Sequence, residues 1–459
     1  MLKEDRFFDP DPTQKSIAID LYNKVKDLPI ISPHGHVDPA LFSDPERGFG
    51  NPVELLLQPD HYVIRMLYSQ GLSFDHILSQ EDPRKIWQTF ADHFYLYRGT
   101  PSGMWLTHEM QMVFDVKERL TGKNALNVYD QIQSALLSAD FLPRNLFKKF
   151  NIEVLATTDS ASDDLKHHQA IKSSGWDGKI IPTFRPEDVV NLLAVDWHSN
   201  IERLEVVTGA DIGDFASFIH ALEKQRTFFK SLGATATDIS MVSPKIELLS
   251  SNERDSIFQR ALAGETTKED ADKFMATMLY ELARMSSEDG LVMQIHAGII
   301  RNHNPFVYEH YGADKGFDIP VQVEFTRSLQ PILADFGNHP NFRLILFTLD
   351  ESTYTRELAP LAGAYPSVKL GPPWWFNDSW NGMRRYFDQV IETAGLYNTS
   401  GFNDDTRAFL SIPARHDVWR RASANWLAGQ YVRGLIEIDE AEQMIVDLAV
   451  GLVKKAYRL

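Results

Sequence analysis

The sequence predicts one α/β domain built as a (β/α)₈ barrel, and three observations support this fold class. Eight short apolar runs recur along the 459 residues, and each run ends in polar residues. Segments of helical pattern lie between the runs, as in a barrel of parallel strands. No internal repeat, low-complexity tract or long Pro/Gly/Ser-rich linker divides the chain. We therefore expect residues 1–459 to form a single elaborated barrel domain.

The eight runs are the predicted strands of the barrel. They are mostly continuous in hydrophobicity, as expected for parallel strands that are buried on both faces. A buried helix segment gives the same pattern, so the short length of the runs and the sequence between them decide the assignment. The predicted strands are residues 28–36, 152–159, 179–185, 234–240, 291–296, 342–350, 368–376 and 397–405.

Helices are predicted between and after these strands. An apolar stripe at helical spacing runs from Phe215 to Leu232, and Gly233 follows where a C-terminal cap belongs. The first two strands are separated by a long stretch with helical patterns at residues 54–68 and 83–97, so we expect a helical insertion over residues 40–148 that covers the barrel mouth. Near the end of the chain, Asp439 and Glu442 have the spacing of a capping box.

Charge and composition exclude several classes of function. With 46 Lys and Arg against 63 Asp and Glu, the formal charge is −17, which argues against a protein that coats nucleic acid or an anionic membrane. The chain has no cysteine, so disulfides, thiolate zinc sites, cysteine nucleophiles and Fe–S clusters are ruled out. The charged start and the lack of a long apolar run predict a cytoplasmic protein.

Chemistry is expected where the strands end, because the C-terminal ends of barrel strands meet at the active site. The polar or aromatic residues at these ends are His34, His36, Asp159, Arg185, Asp238, His296, Asp350, Trp374, Trp375, Asp404, Asp405 and Arg407.

His34 and His36 are two residues apart, so on a strand both imidazoles would leave the same face. They could bind a metal, or they could be a hydrogen-bonded pair at a strand end. His296 and Asp405 end other predicted strands and would complete a set of three nitrogens and one carboxylate, which suits Zn²⁺ or a related divalent ion. We therefore favour a metal site.

Residues of the insertion and of the other strand ends have two interpretations each. If their segment is helical, His61 and Arg65 share a face that could lie over the barrel mouth, or the segment could be an ordinary surface helix. Arg185 at the end of an apolar strand could clamp an anion or pair with an aspartate such as Asp159. Trp374 and Trp375 could stack on a sugar or belong to the core.

Several ordered motifs carry a resemblance to a known family. They are His34-Gly35-His36, Asp60-His61-Tyr62 with Arg65-Met66, Ala156-Thr157-Thr158-Asp159 with His167-His168, Phe184-Arg185-Pro186, Gln294-Ile295-His296 with Arg301-Asn302, residues 374–379, and residues 405–410 with Arg415-His416. Through nearly its whole length the sequence resembles the uronate isomerases (glucuronate isomerases) of the amidohydrolase superfamily. The resemblance implies a barrel of the amidohydrolase type.

The resemblance also implies an activity and a site. The activity is the reversible aldose–ketose isomerisation of hexuronates, D-glucuronate to D-fructuronate and D-galacturonate to D-tagaturonate. By position, the implied ligands of one divalent metal per chain, usually zinc, are His34, His36, His296 and Asp405. The implied substrate-site residues are His61, Tyr62, Arg185, Asp238, Trp374, Trp375 and Arg407.

This assignment predicts roles for the site residues. The metal would polarise the sugar oxygens, and Tyr62, Asp405 or His61 would move the protons through a cis-enediol. Arg185, helped by His61, would hold the carboxylate of the substrate. We expect a homo-oligomer whose partner is a small-molecule hexuronate and not a nucleic acid or a membrane.

The sequence departs from the family at two motifs, and one rival function stays open. Many members have Ser-Asp-His where this chain has Thr237-Asp238-Ile239, and the first histidine motif also differs from the commoner form. Two-metal hydrolases of the superfamily need a bridging lysine near the end of strand four and a histidine at strand six, which this chain lacks. A mononuclear metal-dependent hydrolase is the alternative. A catalytically inactive sugar-acid binder would be expected to lose ligands that are present here.

Overall fold

The computed structural model describes residues 2–79 and 82–459. Its strands are β1 (Ile30–Ser32), β2 (Ile152–Ala156), β3 (Asp159–Ser160), β4 (Lys179–Ile181), β5 (Phe184–Arg185), β6 (Ala236–Met241), β7 (Val292–Ala297), β8 (Ile299–Ile300), β9 (Ile319–Pro320), β10 (Leu344–Thr348) and β11 (Val368–Leu370).

The helices before β2 are α1 (Pro12–Val25), α2 (Ala40–Ser43), α3 (Pro52–Leu56), α4 (His61–Tyr68), α5 (Phe74–Ile77), α6 (Pro83–Asp92), α7 (Pro101–His108), α8 (Ala125–Leu136) and α9 (Pro143–Lys149). Those after β2 are α10 (Lys166–Ser173), α11 (Glu187–Val190), α12 (Trp197–Thr208), α13 (Phe215–Ser231), α14 (Ser251–Leu262), α15 (Lys268–Asp289), α16 (Pro305–Tyr311), α17 (Gln330–Phe336), α18 (Ala359–Ala364), α19 (Trp380–Ala394), α20 (Ile412–Val432), α21 (Ile438–Val446) and α22 (Leu452–Tyr457).

The main strands form one parallel ladder in chain order, as the barrel prediction requires. β1 pairs with β2 and β2 with β4, while β3, β5, β6, β7, β10 and β11 pair successively. These strands make two sheets, the first with β1, β2 and β4 and the second with the other six. The two sheets are continuous, because backbone hydrogen bonds from Thr157 N to Ile181 O (2.9 Å) and from Asp159 N to Thr183 O (3.0 Å) span the gap between them. The ladder then continues from Leu370 to Thr399, and His36 N donates to Thr406 O (3.0 Å) between the first and last segments.

Three of the predicted strands end well before their last predicted residue, and one of these three is hardly a strand. The strand within residues 368–376 ends at Leu370, because Gly371 is followed by two prolines that cannot donate to a ladder. Within residues 397–405, Thr399 alone pairs, because a 3₁₀ turn covers Leu396–Asn398 and Gly401 has a φ of +75°. The strand within residues 28–36 stops at Ser32, just before Pro33.

The helix predictions hold with two corrections. Helix α13 and the left-handed Gly233 after it (φ +100°) agree with the apolar stripe. The predicted capping box at Asp439 and Glu442 is wrong, because α21 begins earlier and Glu437 forms the box with Glu440. The segment 54–68 is two helices, α3 and α4, and the carboxylate of Asp60 accepts a hydrogen bond from Tyr62 N to start the second.

Between β1 and β2 every described regular element is helical, and the insertion over residues 40–148 stays a prediction. A second excursion, residues 299–320, was not predicted and connects β7 to the following helix. Its first and last residues pair as the antiparallel strands β8 and β9. None of the described helices combines the length and the apolar character that crossing a membrane requires.

The excursion packs directly on the insertion. Phe317 lies edge-on to Tyr68 at 5.1 Å between ring centroids, and Tyr311 lies edge-on to Phe74 at 5.3 Å. Gly316 (φ +87°) sits against the first turn of α4, where an added Cβ would lie only 2.6 Å from the carbonyl oxygen of His61. The excursion and the first helices of the insertion therefore form one continuous wall.

Candidate active site

One cavity, of about 320 Å³, contains nearly every residue that the sequence predicted for the site. Its lining comes from the strand ends, the insertion and the excursion. It comprises His34, His36, Pro59, Asp60, His61, Tyr62, Arg185, Glu187, Asp238, Ser240, His296, Arg301, Asn302, Asp314, Trp374, Trp375, Asp405, Thr406, Arg407, Ala408 and Arg415.

Three of the four predicted metal ligands form a compact group of donor atoms. One donor atom each from His34, His296 and Asp405 lies within 4.8 Å of the others, so this group could hold a metal ion. The Nε2 atoms of His34 and His296 lie 3.6 and 3.8 Å from the carboxylate oxygens of Asp405, too far for hydrogen bonds. Burial lowers the pKa of His34 to about 4, which keeps the ring neutral as a ligand must be.

His36 stands beside this group but does not belong to it. Its Nε2 lies 3.1 Å from Asp405 Oδ1, and its ring lies edge-on to that of His34. The sequence prediction placed both histidines on a strand, whereas they follow the last residue of β1. The structure therefore places His36 next to Asp405. The role of His36 as a metal ligand stays a prediction.

Asp238 in β6 orients His296 in the neighbouring strand β7. Its Oδ1 accepts a hydrogen bond of 2.6 Å from His296 Nδ1, which leaves Nε2 as the free nitrogen. That Nε2 is buried and has no hydrogen-bond partner among the described residues. An unpartnered imidazole nitrogen that faces a carboxylate across a gap fits a metal ion between them. The predicted contact of Asp238 with substrate stays untested.

His61 and Tyr62 reach the cavity from the first turn of α4. Burial, together with the positive charge of nearby Arg407, lowers the pKa of His61 to about 3. Burial raises the pKa of Tyr62 well above its ordinary value. Both groups are therefore neutral near pH 7, with Tyr62 as a proton donor. Of the two interpretations of this segment, the structure supports the one that places it at the barrel mouth.

Arg185 lies between two carboxylates rather than beside Asp159. Its guanidinium is 2.8 Å from Glu187 and 3.6 Å from Asp238. Asp159 instead accepts a hydrogen bond from Thr157 (2.6 Å). The ion-pair interpretation therefore names the wrong aspartate, because Asp238 leaves the adjacent strand and reaches the same guanidinium.

The two tryptophans differ in their surroundings. Trp374 is buried edge-on against His296, with 4.7 Å between ring centroids, so it belongs to the packing under the metal group. Trp375 lines the cavity with a buried Nε1 that has no hydrogen-bond partner among the described residues. The guanidinium of Arg301 lies over its ring at 5.0 Å.

Backbone strain concentrates around the cavity. Nine described residues other than glycine have a positive φ, and four of them line the cavity: Asn302, Asp314, Trp375 and Asp405. For a bulky residue such as Trp375 (φ +53°) this conformation is unfavourable, and such strain is typical of functional sites.

Several cavity residues were not predicted to have roles. Glu187 follows Arg185 by two positions, so this spacing could have indicated an ion pair. Arg301 and Arg415 stood in the family-like motifs without an assigned role. Asp314 gave no signal, because it lies in the excursion, far in sequence from the strand ends.

Comparison with known proteins identifies the family. The family model for glucuronate isomerase matches residues 6–456. The chain belongs to the glucuronate isomerase family. A uronate isomerase from Nostoc punctiforme is 52% identical over 100% of this chain and 98% of its own length.

Solved structures of the glucuronate isomerase family share the fold. A glucuronate isomerase from Caulobacter crescentus superposes with a TM-score of 0.98 at 48% identity, covering 100% of this chain and 97% of the other. A uronate isomerase from Thermotoga maritima gives 0.94 at 26% identity, covering 100% and 99%. These likenesses confirm the predicted barrel and do not favour the hydrolase alternative.

Proposed function

We propose that this chain is a uronate isomerase that interconverts D-glucuronate with D-fructuronate and D-galacturonate with D-tagaturonate. One observation carries the proposal: a single cavity joins a metal-binding group to arginines, a neutral histidine and a protonated tyrosine. This combination suits a sugar that has a carbonyl at one end and a carboxylate at the other. Membership of the family supports the same reaction.

His34, His296 and Asp405 would hold the metal, with His36 as the fourth ligand, and we propose zinc. The unpartnered nitrogen of His296 and the neutral nitrogen of His34 fit this role. When bound, a divalent ion supplies Lewis-acid polarisation of the sugar oxygens.

The isomerisation moves a proton between C1 and C2 and a second proton between their oxygens. Burial keeps the hydroxyl of Tyr62 protonated, so Tyr62 would donate its proton to the carbonyl oxygen as the cis-enediol forms. Asp405 is the carboxylate of the proposed metal group and would take the proton from C2 and return it to C1, while the Tyr62 phenolate would take back the proton of the C2 hydroxyl. His61 is neutral, and its buried Nε2 has no hydrogen-bond partner in the described part of the chain, so it would donate a hydrogen bond to a sugar oxygen.

The arginines would bind the acidic end of the sugar. Arg185 is fixed by Glu187 and Asp238, so its side chain is already ordered before a ligand arrives. Arg407 extends from the segment after Asp405, and Trp375 would donate its unpartnered N–H to a sugar hydroxyl. These groups distinguish a hexuronate from a neutral hexose.

The proposal is tested by incubating the zinc-loaded protein with D-glucuronate and following ketose formation by circular dichroism. We expect turnover of D-glucuronate and D-galacturonate and little turnover of D-glucose. No ketose from either uronate would refute the proposed function.

Further properties that we infer for the protein follow from this function and await tests of their own. We propose one barrel domain whose helical insertion, residues 40–148, covers the mouth of the site, since His61 and Tyr62 of that segment line the cavity. We also propose a cytoplasmic homo-oligomer that acts on a small sugar acid and not on a nucleic acid or a membrane.

A further inference from the structure

Every arginine of the cavity is already paired with a carboxylate. Arg185 contacts Glu187 and Asp238, as described above. The other pairs are Arg301 with Asp318 (3.0 Å), Arg407 with Asp314 (2.9 Å) and Arg415 with Asp378 (2.6 Å). An acidic ligand therefore meets no unpaired guanidinium in the described part of the cavity and binds either beside one of these carboxylates or in its place.

The four pairs differ in how easily a ligand could open them. The side chains of Arg415 and Asp378 are only 3% and 5% exposed. Asp318 is 4% exposed and also accepts the backbone N–H of Asn302. Separating a buried pair leaves an uncompensated charge and is costly.

Arg407 and Asp314 form the one exposed pair of the four. Their side chains are 41% and 48% exposed, and a single contact joins them. Exposed ion pairs of this kind are weak, so a ligand carboxylate can replace Asp314 at little cost. Once displaced, the Asp314 carboxylate can be hydrated by bulk water.

The surroundings of Asp314 determine what kind of movement this exchange needs. The excursion that carries it packs on the insertion through Gly316, Phe317 and Tyr311. Since the backbone is held on both sides of Asp314, the exchange needs a change of side-chain rotamer and no opening of a loop.

We propose that Asp314 is a positioning residue that occupies Arg407 before substrate binds and competes with the substrate carboxylate for it. Asp314 then disfavours small anions, which gain too few contacts to displace it, and assists the release of the acidic product. The identity of the substrate rests on the proposed function, whereas the competition concerns any carboxylate that reaches Arg407.

The test measures the binding of two probes that need no turnover. D-gluconate is a six-carbon polyol chain that ends in a carboxylate, and D-glucitol has a hydroxymethyl group in place of that carboxylate. Calorimetric titration should show that Asp314→Asn binds D-gluconate about two- to fivefold more tightly than the parent, with D-glucitol unchanged. Asp75→Asn removes the same charge from the same wall, where Asp75 contacts Tyr311, and should change neither affinity.

Two further measurements show whether the effect passes through Arg407. In an Arg407→Met background, Asp314→Asn should no longer tighten the binding of D-gluconate. In the Arg407-containing enzyme, the KM of D-glucuronate should fall by the same factor without a rise in kcat. Unchanged or weaker D-gluconate binding in Asp314→Asn, absence of D-gluconate binding in both proteins, or tightening that persists without Arg407 would overturn the proposal.

Failure of the proposed function would have a different signature. In that case D-gluconate would still bind more tightly to Asp314→Asn, but no ketose would form from either uronate. The competition at Arg407 and the isomerase activity are therefore tested separately.

Discussion

Asp238 shows how a carboxylate that contacts two other residues of the cavity can shape the site. It is fully enclosed, and its two carboxylate oxygens face His296 and Arg185. One carboxylate thus orients both the imidazole that we propose as a metal ligand and the guanidinium that we propose binds substrate. Such partners of metal ligands usually matter nearly as much as the ligands.

Asp238→Asn tests this positioning role. The neutral amide is a weaker acceptor for His296 Nδ1, so we expect metal affinity to fall about ten- to a hundredfold, as for other changes behind metal ligands. The measurement is zinc affinity in competition with a chelator of known affinity. Asp350→Asn is the control, because Asp350 accepts the backbone N–H of Val323 and lies outside the cavity lining. Equal zinc affinity in the two variants would show that Asp238 does not position His296.

Trp375 offers a second prediction at this scale. Trp375→Phe keeps a ring under Arg301 but removes the unpartnered N–H. The KM of D-glucuronate should therefore rise about three- to tenfold, which corresponds to the loss of one hydrogen bond, and kcat should change less. Steady-state kinetics would measure this. Trp426→Phe is the matched control, because its N–H contacts Asp388 outside the cavity. A KM equal to that of the parent would mean that this N–H does not bind substrate.

Among single residues, the sequence predicted the charged residues and histidines that end an apolar run. His34, His296, Asp405 and Arg185 were predicted this way and lie in one cavity. Of their partners, only Glu187 gave a signal, through its spacing from Arg185, whereas Asp238 meets His296 through strand register. Asp314 meets Arg407 only because a long excursion folds back.

At the scale of elements, apolar runs predicted where strands begin better than where they end. The buried runs 234–240 and 291–296 form the full strands β6 and β7, because their backbone groups have no other hydrogen-bond partners in the core. Prolines stopped β1 and β11 early, and a turn replaced most of the eighth strand. The excursion 299–320 escaped prediction because its packing partners, α4 and α5, are far away in sequence.

Gly316→Ala tests the contact between the excursion and the insertion. A Cβ at Gly316 would clash with the carbonyl oxygen of His61 and crowd the side chain of Arg65, so the first turn of α4 must shift. We expect destabilisation by about 1–3 kcal/mol and a raised KM, because His61 and Tyr62 move with that turn.

Gly312→Ala is the matched control, since Gly312 also has a positive φ but its Cβ would meet nothing within 4 Å. Thermal unfolding and kinetics of both variants separate the effect of an alanine at positive φ from the effect of the clash between the new Cβ and His61. If both alter KM equally, the contact at His61 has no special role.

At the scale of the whole molecule, the charge of −17 must be reconciled with an acidic substrate. The cavity has four arginines against five carboxylates, so its side chains alone do not favour an anion. A bound divalent ion would reverse the formal sign of the cavity. The metal is thus proposed to attract the substrate as well as to assist the chemistry.

Metal binding should also stabilise the fold. Zinc added to chelator-treated protein at about a hundred times its dissociation constant should contribute about 2.7 kcal/mol, which raises the temperature of thermal unfolding by several degrees. Differential scanning calorimetry measures this shift. Asp405→Asn, which lacks a ligand, should show a much smaller one. A parent protein that zinc does not stabilise would contradict the metal assignment.

The backbone hydrogen bond from His36 N to Thr406 O joins the first and last segments of the barrel, and it has a consequence for biosynthesis. His34 leaves the ribosome early, whereas Asp405 follows only after nearly the whole chain has been made. A nascent chain that has not yet reached Asp405 therefore cannot offer the complete set of proposed ligands. Loading of the proposed metal would then be a late event, coupled to closure of the barrel, and a product truncated before Asp405 would lack one of the proposed ligands.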